Sequence, residues 1–175
     1  MRNVEIKTKI NDSKTFIEKL EKITDTEMIV IKQLDTFFES KTGRLKLRRF
    51  EDATGELIYY ERPDTTGPKL SDYKKIDLNA KTYEDMNKIL SVTNGIIGTV
   101  KKTRRLYTID QTRIHVDDVH DLGSFLELEV ILKDNQDVDY GTKVAENIMK
   151  NLNIDATNLI SIAYIDLLNK TKNSE

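Results

Sequence analysis

The segment FLELEV, residues 125–130, carries two glutamates, Glu127 and Glu129, in alternation with apolar residues. This alternation predicts a β-strand, whose successive side chains point to opposite faces. Both carboxylates would then lie on the same face, where they can share a hard divalent cation such as Mg²⁺ or Mn²⁺. Asp117, in the preceding segment QTRIHVDDV, would reach the same region from a neighbouring strand.

Basic residues show the same alternation in several other segments, among them VEIKTKI, RLKLRRF and VKKTRRLY. The bases that this alternation places on charged strand faces are Lys7, Lys9, Lys46, Arg48, Arg62, Lys102, Arg104 and Arg113. For any single strand, an antiparallel sheet with one face in water explains the pattern. The charges are also sorted along the chain, with bases clustered in residues 43–50 and 100–107 and acids in residues 115–121 and 125–130. That sorting favours a binding site over an ordinary solvated face.

Charged faces of this kind would line the interior of a sheet that closes on itself, with the aliphatic residues packed outward against helices. Unpaired charges in such an interior are costly, so it must hold water, ions or a polyanionic ligand. Arg and Lys bind phosphate oxygens. A divalent cation polarises the phosphorus and offsets negative charge during phosphoryl transfer. A triphosphate with a divalent cation therefore suits these residues.

Composition excludes several other classes of protein. The chain has 175 residues, of which 33% are charged and 38% hydrophobic, so we expect one globular domain over residues 1–175. No apolar run or secretory signal is evident, which predicts a cytoplasmic protein without a membrane partner. The net charge of −2 argues against a nucleic-acid partner. Because cysteine is absent, thiolate metal sites are excluded.

Periodicity predicts the element order β-α-β-β-β-β-α-β-β-β-α, with a short helix near the end of the chain. Short loops and repeated hairpin signals indicate an α+β fold: an antiparallel, closed or nearly closed β-barrel with helices packed outside. The second helix is predicted within residues 78–95, with Thr82 and Asp85 near the spacing of a capping box. The third is predicted from Tyr140, after an acidic loop at residues 134–141. If the barrel is open, its exposed edges allow a homodimer.

Several of these segments resemble the CYTH superfamily, which comprises class IV adenylyl cyclases and thiamine triphosphatases and whose fold is called a triphosphate tunnel. The resemblance covers nearly the whole chain and rests on VEIKTK, QLDTFF, LKLRRF, IYYERPD, VKKTRRLY, TRIHVDDVHDLGSFLELEV and SIAYIDLL. Its most specific part is residues 104–130, where a basic strand leads to an Asp-bearing strand, a Leu-Gly turn and Glu-x-Glu. This part and the terminal AYIDLL are most similar to the cyclase branch.

The resemblance implies a metal site and a departure from the family pattern. The N-terminal family motif is Glu-x-Glu-x-Lys, and Glu5 takes its first position while Lys7 replaces its second glutamate. The implied ligands of Mg²⁺ or Mn²⁺, which would also be the catalytic acids, are Glu5, Glu127 and Glu129, with help from Asp117. The departure at Lys7 removes one carboxylate and adds a cation.

The resemblance also implies which bases bind phosphate. They are Lys9, Lys46, Arg48, Arg62, Lys102 and Arg104. Lys7 and Arg113 are added as phosphate-binding bases because of their places on charged strand faces. Asp35 matches an acidic position of the second strand. His115 is either a general base or a bystander on its strand, and the bystander interpretation is favoured.

Three functions follow from the same residues. In the first, ATP binds with its triphosphate among the bases and is converted to cyclic AMP and pyrophosphate, as in class IV adenylyl cyclases. In the second, the site is that of a triphosphatase, which hydrolyses an inorganic or organic triphosphate and releases phosphate. In the third, the protein binds triphosphate or polyphosphate without catalysis, an alternative that Lys7 supports because an ammonium can hold phosphate while weakening metal binding.

Overall fold

The computed structural model describes residues 1–24 and 26–172, and in them it contains the predicted elements in the predicted order. The strands are β1 (Arg2–Lys9), β2 (Ile29–Phe38), β3 (Arg44–Arg49), β4 (Gly55–Glu61), β5 (Lys69–Leu78), β6 (Ile96–Ile109), β7 (Thr112–Val119) and β8 (Gly123–Ile131). The helices are α1 (Ser13–Leu20), α2 (Ala80–Thr93), α3 (Val138–Asn151) and α4 (Tyr164–Lys172), with a 3₁₀ turn at Ala156–Asn158. None of the helices in these ranges is long and apolar enough to cross a membrane.

The eight strands form one closed antiparallel sheet. Around the ring their order is β1-β5-β4-β3-β2-β6-β7-β8, and β8 returns to β1. The contact that closes the ring pairs Asn3–Lys9 of β1 with Phe125–Ile131 of β8. The predicted α+β fold with a closed antiparallel sheet is thus confirmed. The described strands all have partners on both sides, so the open edges that motivated the homodimer prediction are absent from them.

Aliphatic residues on the outer face of the ring pack against helices, as the alternation predicts. Ile6 of β1 and Leu128 of β8 are fully buried in a cluster with Ile148 and Met149 of α3. Burial of each such side chain stabilises the fold by roughly 1.5–3 kcal/mol relative to exposure. With the apolar residues turned outward, the residues between them turn toward the lumen of the ring.

Residues at the start of α4 cover one end of the lumen. Ala163 and Tyr164 line the central cavity, and they belong to an apolar cluster with Val100 and Phe125. The Tyr164 and Phe125 rings meet edge to face, with centroids 5.1 Å apart. The terminal segment is therefore part of the functional interior as well as of the core.

The N-termini of two helices differ from the sequence prediction in their caps or first residues. The N-cap of α2 is Asn79, whose side chain accepts a hydrogen bond from the Thr82 backbone N–H, so the Thr82–Asp85 capping box is wrong. α3 begins at Val138 rather than Tyr140, because Asp137 caps it by accepting from the Tyr140 N–H. In both cases an Asn or Asp at the end of a loop satisfies a free N–H of the first turn.

The outward packing of the aliphatic face is testable on Leu128. We expect Leu128→Ala to lower the free energy of unfolding by about 2–5 kcal/mol, since it leaves a cavity between β8 and α3. Val92→Ala is the matched control, because Val92 is 87% exposed on α2 and its truncation should change stability by less than about 0.5 kcal/mol. Urea unfolding measures both. Equal effects of the two substitutions would contradict the packing described here.

Candidate functional site

A cavity of about 250 Å³ lies inside the ring of strands. The predicted site residues that line it are Glu5, Lys7, Lys46, Arg48, Arg62, Lys102, Arg104, Arg113, Glu127 and Glu129. Asp35, His115 and Tyr164 line it as well. The sheet therefore brings together most of the charged residues that the alternation selected, although they come from distant parts of the sequence.

Glu129 lies at the centre of one row of lumen residues. Across the sheet it stands between Glu5 of β1 and Arg113 of β7. Its Oε2 is 2.7 Å from Nη2 of Arg113. Glu5 also has an arginine partner, because Nη1 of Arg62 donates a hydrogen bond of 2.5 Å to Glu5 Oε1. Each of the two carboxylates thus already has a guanidinium partner.

Glu127 lies at the centre of the next row, between Lys7 of β1 and His115 of β7. Its Oε1 is 3.1 Å from the Lys7 ammonium, and its Oε2 accepts a hydrogen bond of 2.7 Å from Arg104 Nη2. Burial disfavours the charged carboxylate, but the charges of Lys7 and Arg104 outweigh it and hold the pKa of Glu127 well below its usual range. Glu127 is therefore ionised at neutral pH.

Asp117 lies behind Arg104 and is completely buried. Nε and Nη2 of Arg104 donate to its two oxygens at 2.6 Å each, and the Tyr164 hydroxyl donates at 3.1 Å. Burial opposes its ionisation, yet Arg104 and Lys102 lower its pKa to about 2. These contacts fit a residue that positions Arg104, and they occupy the oxygens that the sequence analysis assigns to a metal.

Asp35 of β2 organises a second set of bases. It accepts two hydrogen bonds from Arg48, at 2.8 and 2.9 Å, and one of 2.8 Å from Lys46, both on β3. The ammonium of Lys102, on β6, lies 4.0 Å from its Oδ2. Burial opposes ionisation of Asp35, but the charges of Arg48, Lys46 and Lys102 hold its pKa well below the usual range. One buried acid thus fixes three cations along the cavity wall.

The chain that forms this cavity matches a known protein family. The model of the CYTH domain matches residues 1–164. The chain belongs to the CYTH domain family. The cavity lined by charged strand faces is consistent with the triphosphate tunnel expected from the sequence.

Relatives and neighbours of this CYTH protein bear related names. It is 29% identical to "Putative adenylate cyclase MJ0240" of Methanocaldococcus jannaschii, over 95% of this chain and 98% of that relative. The PH1012 protein of Pyrococcus horikoshii has a similar fold, with a TM-score of 0.82, 19% identity and coverage of 94% and 98% of the two chains. "Putative adenylyl cyclase HpAC1" of Hippeastrum, described as having a dominant triphosphatase activity, gives a TM-score of 0.65 at 12% identity over 97% and 96%.

His115, for which the sequence favours a bystander role, lies in the cavity wall beside the two glutamates. Its side chain is buried, and its Nδ1 faces the two glutamates, 3.9 Å from Glu127 Oε2 and 3.7 Å from Glu129 Oε1. Burial and the nearby charge of Arg104 lower the pKa of His115 to about 4, so the imidazole is neutral at pH 7. Among the described residues, His115, Glu127 and Glu129 form a group whose ligand atoms all lie within 4.8 Å of one another. This set combines two carboxylates with a nitrogen lone pair, which suits a divalent cation, while Arg104 and Arg113 are also partners of Glu127 and Glu129.

The segment before α4 holds several cations by its backbone, which the sequence did not predict. The carbonyl oxygen of Ile162 accepts from Lys7 Nζ at 3.2 Å. The carbonyl oxygen of Ser161 accepts from Arg62 and from Lys69, at 3.2 Å each. The Lys7 ammonium also lies 4.0 Å from the centroid of the Tyr164 ring. Backbone carbonyls carry no signal in a sequence, so only the fold reveals these contacts.

Lys9 lies outside the cavity. It is exposed at the end of β1, with its ammonium 5.9 Å from the centroid of the Phe125 ring. It shares a strand face with Glu5 and Lys7, but the ring is shorter than the strand on that side. Its contact with phosphate remains a prediction, and its position outside the cavity gives that prediction no support.

The positioning role of Asp117 is testable by its effect on stability. We expect Asp117→Asn to lower the free energy of unfolding by about 3–5 kcal/mol, because it removes the counter-charge closest to the buried Arg104 and Lys102. Asp118→Asn is the matched control: Asp118 is the next residue of β7 and is exposed on the opposite face. Urea unfolding of both variants checks this. If Asp117→Asn is as stable as Asp118→Asn, the assignment is wrong.

Proposed function

We propose that this CYTH protein is a metal-dependent enzyme that acts on the triphosphate of a nucleotide. Its first candidate reaction is that of a class IV adenylyl cyclase, the conversion of ATP to cyclic AMP and pyrophosphate. The observation that carries the proposal is the cavity in which bases of β1, β3, β6 and β7 surround Glu127 and Glu129. The bases can bind the phosphate groups of a nucleotide, and the glutamates can bind the divalent cation that accompanies those phosphates.

The bases suit the binding and orientation of phosphate groups. Arg48 and Arg104 are each held by an aspartate through two hydrogen bonds. A guanidinium has five N–H donors, so each keeps donors for phosphate oxygens while its position is fixed. Donors fixed in this way need little reorganisation when negative charge moves during the reaction.

The glutamates suit a divalent cation bound together with the phosphates. Glu127 and Glu129 would hold Mg²⁺ or Mn²⁺, whose charge would polarise the phosphorus under attack. Before a cation binds, the positive charges of Lys7 and Arg104 offset the negative charge of Glu127. Glu127 therefore remains ionised inside the ring.

In the cyclase reaction, the ribose 3′-oxygen attacks the α-phosphorus and forms the new P–O bond. The bond from the α-phosphorus to the oxygen that bridges it to the β-phosphorus breaks. Pyrophosphate leaves with that electron pair, and the hydroxyl proton passes to a carboxylate of the site or to water. The bases around Asp35 would hold the leaving pyrophosphate. The relatedness to the M. jannaschii protein named as an adenylate cyclase supports this reaction.

The size of the cavity favours a second candidate, a triphosphatase. Its volume of about 250 Å³ lies below the roughly 300–1,000 Å³ of sites that enclose drug-sized ligands. It accommodates a triphosphate better than a whole nucleotide. In this reaction water attacks the terminal phosphorus, the bond to the bridging oxygen breaks, and the diphosphate product and inorganic phosphate are released. The Hippeastrum neighbour described with triphosphatase activity supports it.

The two reactions and simple binding are distinguished by their products. Purified protein is incubated with ATP, and separately with tripolyphosphate, in the presence of Mg²⁺ or Mn²⁺. Cyclic AMP with pyrophosphate supports the cyclase. ADP with phosphate, or turnover of tripolyphosphate, supports the triphosphatase. Binding of these ligands without any turnover would overturn the proposed enzyme and leave a triphosphate-binding protein.

We expect Glu127→Gln and Glu129→Gln to lower turnover by about 100-fold or more, because each removes a charge that would hold the cation. The matched control is Glu146→Gln, since Glu146 is exposed on the outer surface of α3. Steady-state rates with ATP or tripolyphosphate, on variants shown by circular dichroism to be folded, provide the measurement. Full activity in both lumen variants would remove Glu127 and Glu129 from the metal site.

Ligand binding should depend on pH through Lys46. Burial lowers the pKa of Lys46 to about 8, although the charge of Asp35 opposes this. Below pH 8 its ammonium is present to bind phosphate, and above pH 8 it is lost. We therefore expect the affinity for tripolyphosphate to fall as pH rises from 7 to 9, approaching about tenfold per pH unit above 8. Calorimetric titration of wild type and Lys46→Met measures this, and parallel pH profiles would contradict it.

A further inference from the structure

The Nδ1 atom of His115 is a buried polar atom without a hydrogen-bond partner in the described part of the chain. The residue is only 3% exposed. Buried nitrogens nearly always have a partner, so an exception calls for an explanation. This atom faces the carboxylates of Glu127 and Glu129. Its surroundings are those of a ligand atom that awaits a cation.

The two sides of Glu127 differ in what they can offer a cation. On the β1 side stands Lys7, whose ammonium has three donors and no lone pair. On the β7 side stands His115, whose neutral imidazole has a nitrogen lone pair. A cation can therefore be bound only on the β7 side, between Glu127, Glu129 and the imidazole.

The distances on that side match a metal site. Bonds from a divalent metal such as Zn²⁺ or Mg²⁺ to nitrogen or carboxylate oxygen are about 2.0–2.2 Å, so two ligands of one ion lie at most about 4.4 Å apart. Nδ1 of His115 is 3.9 Å from Glu127 Oε2 and 3.7 Å from Glu129 Oε1. Both separations fall within that limit without rearrangement of the strands.

We propose that His115, through Nδ1, binds the divalent cation of this site together with Glu127 and Glu129. This inference rests on the proposed function, and it replaces a set made only of carboxylates with one nitrogen and two oxygen ligands. Imidazole suits transition metals better than Mg²⁺, which prefers oxygen. The site therefore selects Mn²⁺ or Co²⁺ over Mg²⁺. The phosphates of the ligand would complete the coordination and offset the nearby charge of Arg104.

The test uses Mn²⁺ as the probe and spin-echo EPR as the readout. The chain contains two histidines, so a His120→Gln protein labelled with ¹⁵N-histidine has His115 as its single labelled residue. His120 is exposed beside Asp121, away from the cavity. We expect a ¹⁵N hyperfine coupling when Mn²⁺ is added, both alone and with tripolyphosphate. Bound Mn²⁺ without this coupling, or no bound Mn²⁺, would overturn the proposal.

A variant series gives a second, independent measurement. We expect His115→Gln to weaken Mn²⁺ binding by about tenfold or more, with a smaller change for Mg²⁺, while His120→Gln binds both as wild type does. If His115→Gln does not fold, the labelling experiment still decides, because it leaves His115 in place. Equal loss of Mg²⁺ and Mn²⁺ affinity in a folded His115→Gln protein would contradict the selectivity.

The outcomes separate this inference from the proposed function. A ¹⁵N coupling in a protein that turns over no triphosphate would support the metal site and overturn the enzyme. Turnover of ATP or tripolyphosphate with Mn²⁺ bound but without the coupling would support the enzyme and overturn the role of His115.

Discussion

Charge compensation inside the closed sheet is the constraint on which the rest of the structure depends. An ionised group removed from water costs several kcal/mol unless partners offset it. The strand order provides those partners, because β2 with Asp35 lies between β3 and β6, which carry bases. In the same way, Asp117 of β7 lies directly opposite Arg104 of β6. Basic and acidic segments that are separate in the sequence thus supply neighbouring strands around the ring.

This compensation also prepares the site for a ligand. Bases held by aspartates keep their positions, whereas a free lysine or arginine would lose side-chain entropy on binding phosphate. The acids behind them, Asp35 and Asp117, are the most deeply buried of the set. The acids nearer the lumen, Glu127 and Glu129, remain partly exposed. The most deeply buried acids therefore position bases, whereas the partly exposed acids are accessible to a cation.

Much of the fold follows from the sequence, because alternation with period two fixes which face of each strand is charged. Together with the helical patterns, that period predicts the element order and many of the charged residues that line the cavity. It did not predict the partner of each charge, which depends on register between strands far apart in the chain. The family resemblance implies Glu5 as a metal ligand, and strand placement suggests Asp117, and register and burial give them Arg62 and Arg104 as partners.

His115 shows a second limit of sequence reasoning. A histidine on a strand is usually a bystander, and its own segment gives too little reason to expect more. What distinguishes it is the pair of glutamates on the next strand, which the β7–β8 register sets beside it. The sequence places His115 on the same charged strand face as Arg113 and Asp117. That placement alone is not sufficient to predict a metal ligand.

Lys7 links these observations, because its ammonium changes what the neighbouring acid can do. With a glutamate at this position, Glu127 would face a second carboxylate, and the pair would require a cation between them. With Lys7, Glu127 is neutralised within the protein, and the ammonium is itself fixed by the Ile162 carbonyl and the Tyr164 ring. The first strand and the terminal segment thus hold this charge together. In the metal site that we propose, the cation binds on the side of Glu127 away from Lys7.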